Sequence, residues 1–461
     1  MGLRIGSNHG ALTALRNLFQ TNRREERAFE RIASGLRINR GSDDPAGLVI
    51  SEKLRAQISG SEQALSNAQN ASNLLRTADA GLGQIGDLLS KAKSLAVAAG
   101  NTGALGADQQ RALQNSLDST LGAIDRIAST TRFAGQPLLN GARDFDVQNA
   151  SPQLLDVRVS SATLPGGAPQ TIDVNVIAAA TQAQAAGTID PVQAGAVSLR
   201  LSGEKGNVTL NFAAGATQAD VENAINANTD FTGVTAAGGV ISSQNVGSDA
   251  FVNVEYLSGN LGSVAPGRVG GTDASATIDG QAATANGNVI SVSDPNLNAS
   301  VTLQAGAAGA FSFDVTGGGS TFQIGDGTQA ADRFSIGIPD VSSSSLGDVN
   351  LGSLASLRTG GANSLINNPS GAASILDTAI DQVSGLRSQL GAAESQVLDV
   401  QRDTLDVAIE NLTAANSSIR DADLAEEITN SLRERLLRES GLKVLRASNV
   451  NQGSVLRLLG Q

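Results

Sequence analysis

The pattern of apolar residues divides this chain into helical ends and a strand-like middle. Residues 1–140 and about 370–461 place Leu, Ile and Ala at intervals of three and four, which is typical of amphipathic helices. Residues 141–345 are rich in Gly, Val, Thr, Asn and Asp and contain short alternating runs. This predicts an α+β multidomain fold, with a long antiparallel coiled coil or helix bundle formed by both chain ends and a β-rich outer domain inserted between them.

Breaks in the apolar stripes predict where the helices start and end. Residues 39–47 interrupt the first helix, and Asp44-Pro45 predicts the start of a second, with Asp as the cap and Pro at the first helical position. Its stripe continues from Leu54 to Leu95, and a third helix follows the turn at 100–103. On the C-terminal side, one helix is predicted before Ile419 and another after the break at 420–423. The ends thus predict three helices in one tier and a terminal pair in another.

Short motifs in the middle predict strands and turns. Residues 197–201 and 208–212 alternate around a Gly-rich turn and predict a β-hairpin, and residues 219–227 predict a short helix. Two runs that resemble each other, 145–147 and 322–324, are each followed by a second alternating run, 157–159 and 334–336. These runs could be strands that pair where the insert leaves and rejoins the helices.

The charge distribution argues against a nucleic-acid partner, and the distribution of apolar residues argues against a membrane partner. Residues 141–345 hold 6 basic and 18 acidic residues and so carry the whole net charge of −12, while the ends are electroneutral. Neither part has the basic excess that nucleic-acid binding requires. No stretch approaches the roughly 18 consecutive apolar residues of a membrane span.

Candidate chemistry is sparse. His9 is the single histidine and there is no cysteine, so His-based triads and thiolate sites are excluded. Residues 81–86 match G-x-G-x-x-G but lie within a helical stripe with no preceding strand. The pairs Asp43/Asp44 and Asp421/Asp423 could bind a cation, although helix capping explains them better. The sequence therefore predicts neither an enzyme nor a cofactor or metal site. An alternative interpretation is that the chain is a secreted adhesin or enzyme whose functional site lies in the acidic insert, residues 141–345.

Both ends resemble a known family. Residues 33–39 (Ala-Ser-Gly-Leu-Arg-Ile-Asn) and 43–47 (Asp-Asp-Pro-Ala-Gly) resemble the N-terminal signature of bacterial flagellins, and residues 415–423 (Ala-Asn-Ser-Ser-Ile-Arg-Asp-Ala-Asp) resemble the C-terminal pattern. The resemblance covers about 140 residues at one end and 90 at the other. Residues 197–236 are similar to a β-rich module of flagellins and hook-associated proteins.

This resemblance implies a structural subunit that self-polymerises into the flagellar filament, or alternatively a hook–filament junction protein. The implied partners are further copies of the chain, the hook-associated and filament cap proteins, and an export chaperone on the C-terminal helix. The implied location is the extracellular filament. The N-terminus lacks the basic and apolar regions of a signal peptide, so export through the flagellar type III apparatus without a cleaved signal is expected.

The resemblance also implies three structural tiers. Residues 1–42 plus 424–461 would form the filament's inner core, residues 43–165 plus 325–423 an outer core, and residues 166–324 a surface insert. The terminal stripes have no covering layer within one subunit and are expected to form the subunit interface. The expected interface residues are Leu12, Leu15, Leu18, Ile32, Leu36, Leu424, Ile428, Leu432, Leu436, Leu445, Leu456 and Leu459.

A final expectation concerns Toll-like receptor five, the innate sensor of flagellins. Flagellins that it detects carry an arginine, a nearby leucine and a glutamate on the next helix, and Lys91, Leu95 and Ser116 correspond to these positions. Lys lacks the planar fork of Arg, and Ser lacks the carboxylate. Weak or absent receptor activation is therefore expected.

Overall fold

A computed structural model describes residues 8–459 of this chain except 102, 104–105, 163–167, 191–194, 295–296, 328, 330–331 and 349–350. The described helices are α1 (His9–Ser34), α2 (Pro45–Ala99), α3 (Ala107–Thr130), α4 (Gln218–Asn226), α5 (Thr229–Thr232), α6 (Pro369–Ala392), α7 (Asp399–Arg420) and α8 (Leu424–Leu459). A 3₁₀ turn covers Leu354–Leu357, and a π-helical turn (Ala393–Leu398) joins α6 to α7.

The described strands all pair in antiparallel fashion. They are β1 (Arg132–Phe133), β2 (Gln136–Pro137), β3 (Phe145–Gln148), β4 (Leu154–Ala162), β5 (Gln170–Ala178), β6 (Gln182–Gln184), β7 (Val197–Gly203), β8 (Gly206–Phe212), β9 (Val234–Ala237), β10 (Val240–Val246), β11 (Phe251–Ser258), β12 (Gly267–Gly270), β13 (Ser275–Ile278), β14 (Gln281–Ala282), β15 (Thr284–Asn286), β16 (Val289–Ser293), β17 (Leu297–Leu303), β18 (Gly309–Gly318), β19 (Ser320–Gln323), β20 (Arg333–Ile336), β21 (Gly347–Asp348) and β22 (Gly352–Ser353).

The chain divides into two compact units, and the first contains residues 1–66, 325–327 and 401–461. Here α1 and α8 lie side by side. Helix α1 ends at Gly35, whose φ of 71° is a left-handed conformation that glycine adopts without strain. The carbonyl of Gly35 accepts a hydrogen bond from the Ala422 N–H at 2.9 Å, and Arg37 N–H donates to the Arg420 carbonyl at 2.6 Å. The segments beside α1 and α8 are thus tied together.

The predicted start of α2 is confirmed. The Asp44 carboxylate accepts a hydrogen bond from the Gly47 N–H at 2.8 Å, and Pro45 is the first helical residue. A Cβ on Gly47 would lie 2.4 Å from the Asp44 Oδ2, so a larger residue here would displace the capping carboxylate. Helix α2 continues through residues 81–86, so the G-x-G-x-x-G run is helical and cannot form a phosphate-binding loop.

The second unit contains residues 67–324 and 328–400, and its first core is helical. Helices α2, α3 and α6 pack together with strands β19 and β20 around fully buried aliphatic side chains. The predicted stripe of α2 forms much of this core, with Leu82, Ile85 and Leu89 each 0% exposed. A tier of two N-side helices and one C-side helix is present, but its C-side helix is α6. The C-side helix predicted from Leu398 to Ile419 is α7, and most of it lies in the first unit.

The second core of this unit is a β-sandwich. One sheet has the order β14-β13-β5-β18-β3 and the other β15-β16-β17-β4. Side chains from both sheets, such as Val174 and Phe313 from one and Ile290 and Val301 from the other, share a single hydrophobic cluster. Strands β3 and β4 thus pack with the middle of the chain.

The suggested pairing of residues 145–147 with 322–324 is wrong. Val147 pairs with Val315 of β18, whereas Phe322 pairs with Phe334 of β20. The similarity of the two runs predicts that both are strands, but it does not predict which strand each one pairs with. The choice of partner depends on strands that are distant in sequence and share the sandwich core.

The third core contains the predicted hairpin. Strands β7 and β8 pair with Leu201 opposite Val208, in a sheet of order β12-β11-β7-β8, which confirms the prediction. The sheet β6-β10-β9 and helix α4 cover the same cluster, to which α4 contributes Val221 and Ile225.

Candidate assembly surface

The terminal helices α1 and α8 form an antiparallel pair held by cross-helix polar contacts. Near the base, Arg31 Nη1 lies 2.9 Å from Glu427 Oε1. Further along, Glu25 Oε2 lies 2.9 Å from Arg438 Nη1. At the far end, the Ser448 hydroxyl donates to Asn8 Oδ1 at 3.0 Å. This order of contacts fixes the antiparallel direction.

The fully buried part of the seam between α1 and α8 consists of small and polar side chains. Its buried residues are Ala14, Glu25 and Ala28 on α1 and Ser431 on α8. On α8 the seam continues through Glu434, whose Oε1 lies 3.8 Å from Arg24 Nη1. Such a seam removes little apolar surface from water, so the hydrophobic contribution to this pairing is small.

Large apolar side chains of the same helices face solvent instead. On α8, Leu432 is 57% exposed and Leu436 is 67% exposed, and on α1 Leu12 is 59% exposed. The expected interface residues on this exposed surface are Leu12, Leu15, Leu424, Ile428, Leu432 and Leu436. We call the α8 part of this surface, Leu424, Ile428, Leu432 and Leu436, the leucine face. Within the described part of the chain, nothing covers about half or more of the surface of these four side chains.

The other expected interface residues behave differently. Leu18, Ile32, Leu36 and Leu445 are half-buried. Leu18 lies in the α1–α8 seam, where its Cδ1 is 3.7 Å from an ideal Cβ on Gly441. The side chains of Leu456 and Leu459 lie outside the described part of the chain.

Sequence reasoning missed several exposed apolar residues on the same helices. Those residues are Phe19, Phe29, Leu437, Leu442, Val444 and Val450. The signal in the sequence was that α1 and α8 hold more apolar residues than one stripe accommodates. A helix with apolar residues on two faces is buried by more than one neighbour.

The three positions of the expected receptor contact lie in the second unit. Lys91 and Leu95 are one turn apart on α2, and Ser116 lies on α3. Lys91 is exposed, Leu95 is half-buried against the helical core, and Ser116 is half-buried. A side chain at Ser116 therefore has less free surface than one at Lys91.

A cleft between α6 and the sandwich contains a carboxyl group whose pKa is shifted. Its volume is about 390 Å³, and its lining includes Asp144, Asp156, Arg158, Asp340 and Asp381. Burial raises the pKa of Asp144, and the nearby Asp156 and Asp340 carboxylates add to that rise, while the Phe145 N–H bond and the charge of Arg158 oppose it. Asp156 is paired with Arg158 at 2.7 Å.

The described residues offer no recognisable catalytic or metal-binding constellation. Among them, no group of three or more His, Cys, Asp or Glu side chains is placed to hold a metal ion. None of the helices in the described part of the chain combines the length and apolar composition of a membrane span.

Paired helical ends with an exposed leucine face and a β-rich insertion define the class: an α+β multidomain protein whose terminal helices leave apolar surface uncovered. Two family models match it, the bacterial flagellin N-terminal helical region over residues 5–144 and the bacterial flagellin C-terminal helical region over residues 373–459. The chain belongs to the bacterial flagellin family.

Individual relatives agree with the family models. Flagellin of Clostridium tyrobutyricum is 42% identical over 154 residues, which cover 32% of this chain and 41% of that one. Flagellin B of Helicobacter pylori (strain ATCC 700392 / 26695) is 26% identical over 543 residues, covering 100% of both chains. The FliC structure from Burkholderia pseudomallei shows 15% identity, covers 70% of this chain and 98% of its own, and has a TM-score of 0.25. The matches to the flagellins of Clostridium tyrobutyricum and Bacillus subtilis (strain 168) span 41% and 49% of those relatives' own length, less than half of each.

Proposed function

We propose that this chain is the structural subunit that self-polymerises into the bacterial flagellar filament. The observation that carries the proposal is the leucine face, which one chain leaves in water although its burial would be favourable. The match of both helical ends to flagellins supports the same conclusion. The alternative, a hook–filament junction protein, would form only a short ring, so polymer length separates the two.

The three expected tiers form part of this proposal. Residues 1–42 plus 424–461 would be the inner core of the filament, residues 43–165 plus 325–423 the outer core, and residues 166–324 a surface insert. The exposed leucines of the terminal pair support the innermost position, because such surface needs the most complete cover. The insert, with 12 acidic and 3 basic residues, carries most of the net negative charge, and its exposure would keep neighbouring filaments apart.

The remaining assignments follow from membership of the filament. The chain would leave the cell through the flagellar type III apparatus without a cleaved signal and act in the extracellular filament. Its partners would be further copies of itself, the hook-associated and cap proteins, and an export chaperone that binds α8. A structural role with no catalytic activity fits the scarcity of reactive side chains.

The proposal also includes weak recognition by Toll-like receptor five. Lys91 and Ser116 stand where detected flagellins carry arginine and glutamate, so the bidentate and carboxylate contacts are both weakened. A cell reporter assay on monomer should show a weak response, which the double variant Lys91→Arg/Ser116→Glu should raise. A strong response to the unmodified chain would contradict this assignment.

The leucine face provides the test of the main function. Full-length protein with Leu432→Ser and Leu436→Ser should keep the melting transition of the second unit but fail to extend filament seeds, as followed by sedimentation and electron microscopy. Glu439→Ser, an exposed polar change on the same helix, is the control and should polymerise normally. Long filaments from the double leucine variant would overturn the proposal.

A further inference from the structure

Helix α8 has two faces, either of which could pack against α1. One is the leucine face, and the other is the charged stripe of Glu427, Glu434 and Arg438 that contacts α1. Burial of apolar surface alone would turn the leucines towards α1, because that contact would remove more hydrocarbon from water. The structure shows the opposite orientation, so some interaction must oppose the rotation.

The opposing interaction is centred on Glu25 of α1. Its side chain is 7% exposed, and its carboxylate lies 2.9 Å from Arg438. If α8 turned its leucine face inward, this carboxylate would be enclosed by apolar side chains without a cation. An unpaired buried charge is far more costly than a paired one, so rotation is disfavoured.

The other two ion pairs cannot take over this role. Arg24 is 59% exposed and lies 3.8 Å from Glu434, and Arg31 is 32% exposed beside Glu427. Both arginines can reach water whichever way α8 faces, and long side chains do so readily. Glu25 has the least exposed side chain of the three α1 residues in these pairs.

We propose that Glu25 and Arg438 orient α8, so that its leucine face stays turned away from α1 and free to bind further copies of this chain. The idea rests on the proposed filament function, and it assigns to these two residues a positioning role in assembly. Without this ion pair, α8 would pack its leucine face against α1 of the same chain. That face would then be unavailable to other copies of the chain in the polymer.

Disulfide reporters can measure the orientation directly, because the chain has no cysteine of its own. An ideal Cβ on Gly10 lies 3.1 Å from the Ser448 hydroxyl, so Gly10→Cys/Ser448→Cys reports the observed orientation. Val450 is 65% exposed and lies two residues further along the helix, which places it about 200° around α8. Gly10→Cys/Val450→Cys therefore reports the rotated orientation.

In the otherwise unmodified chain under polymerising conditions, the Ser448 reporter should cross-link about tenfold more than the Val450 reporter. This ratio corresponds to a free-energy difference of about 1.4 kcal/mol between the observed and the rotated orientation of α8. Glu25→Leu should lower that ratio by about tenfold, and Glu25→Arg should do the same through repulsion with Arg438. The charge-swapped double variant Glu25→Arg/Arg438→Glu should restore it. Glu26→Leu, an exposed change at the next position, is the matched control and should leave the ratio unchanged.

An unchanged ratio in Glu25→Leu would overturn the proposal, and so would a double variant that remains as impaired as Glu25→Arg. Filament formation is measured in parallel by pelleting. If the unmodified chain fails to polymerise, the filament function fails, while the cross-linking ratio still reports whether Glu25 and Arg438 orient α8.

Discussion

The helical core of the second unit and the terminal pair of the first use similar sequences in opposite ways. In the core, Leu82, Ile85 and Leu89 of α2 are fully buried against α3 and α6. In the terminal pair, the seam is small and charged, and Leu432 and Leu436 remain more than half exposed. The difference shows that an apolar stripe predicts that one face of a helix will be buried, but it does not predict whether the same chain or another chain buries that face.

The two regions also differ in the charged groups that surround a carboxylate, Glu25 in the terminal pair and Asp144 in the second unit. Glu25 in the terminal seam has an arginine at 2.9 Å, whereas Asp144 lies in a cleft of the second unit that is lined by Arg158 and by three further carboxylates, those of Asp156, Asp340 and Asp381. The first arrangement fixes an orientation, and the second raises the pKa of Asp144 through burial.

The largest expected effect comes from removing either end. Deletion of residues 1–42 or of residues 424–461 should abolish seed elongation, because each deletion removes half of the terminal pair. The second unit should stay folded, since its three cores lie outside these segments. Circular dichroism and seeded light scattering measure the two outcomes. Normal filaments from a trimmed chain would show that the terminal pair is dispensable.

A matched pair of leucine truncations sharpens the comparison. Leu89→Ala leaves a cavity in the helical core and should destabilise the second unit by about 2–5 kcal/mol. Leu436→Ala should change monomer stability by less than about 0.5 kcal/mol, because the side chain already lies in water. In polymerisation assays, Leu436→Ala should nevertheless raise the critical concentration. Equal destabilisation of the monomer by both changes would mean that the leucine face is covered within one chain.

A smaller, pH-dependent effect is expected at Asp144. A raised pKa means that the folded state holds the proton more tightly than the unfolded state, so stability is lost as pH rises through the raised pKa. Asp144→Asn removes this loss, and its Tm should be slightly above that of the unmodified chain at pH 7. The difference should vanish below the ordinary pKa of aspartate. A Tm difference that is independent of pH would refute the titration of Asp144 as its cause.

The smallest effect on assembly is expected from removing the sandwich and the third core together. The N–H of Gly319 donates to the carbonyl of Asp144 at 2.9 Å, so residues 145–318 can be deleted and the flanks joined directly. Seeded polymerisation should continue at a similar rate, because the helical tiers retain their contacts. Failure of this variant to polymerise, with its helical core still folded, would assign essential subunit contacts to the deleted residues.

The sequence by itself determined the local elements and the family. Asp44-Pro45 set the start of α2, the alternation at 197–201 and 208–212 set a hairpin, and the terminal motifs identified the flagellin ends. These features depend on neighbours within a few residues, where capping, turn geometry and side-chain period act directly.

Only the tertiary structure decided which surfaces meet. It paired β3 with β18, and it turned the charged stripe of α8 towards α1 while leaving the leucines outside. The apolar spacing of α1 and α8 was equally compatible with leucines in the seam. Strand partners and helix orientations depend on groups hundreds of positions apart, such as Glu25 and Arg438, whose interaction exists only once the chain has folded.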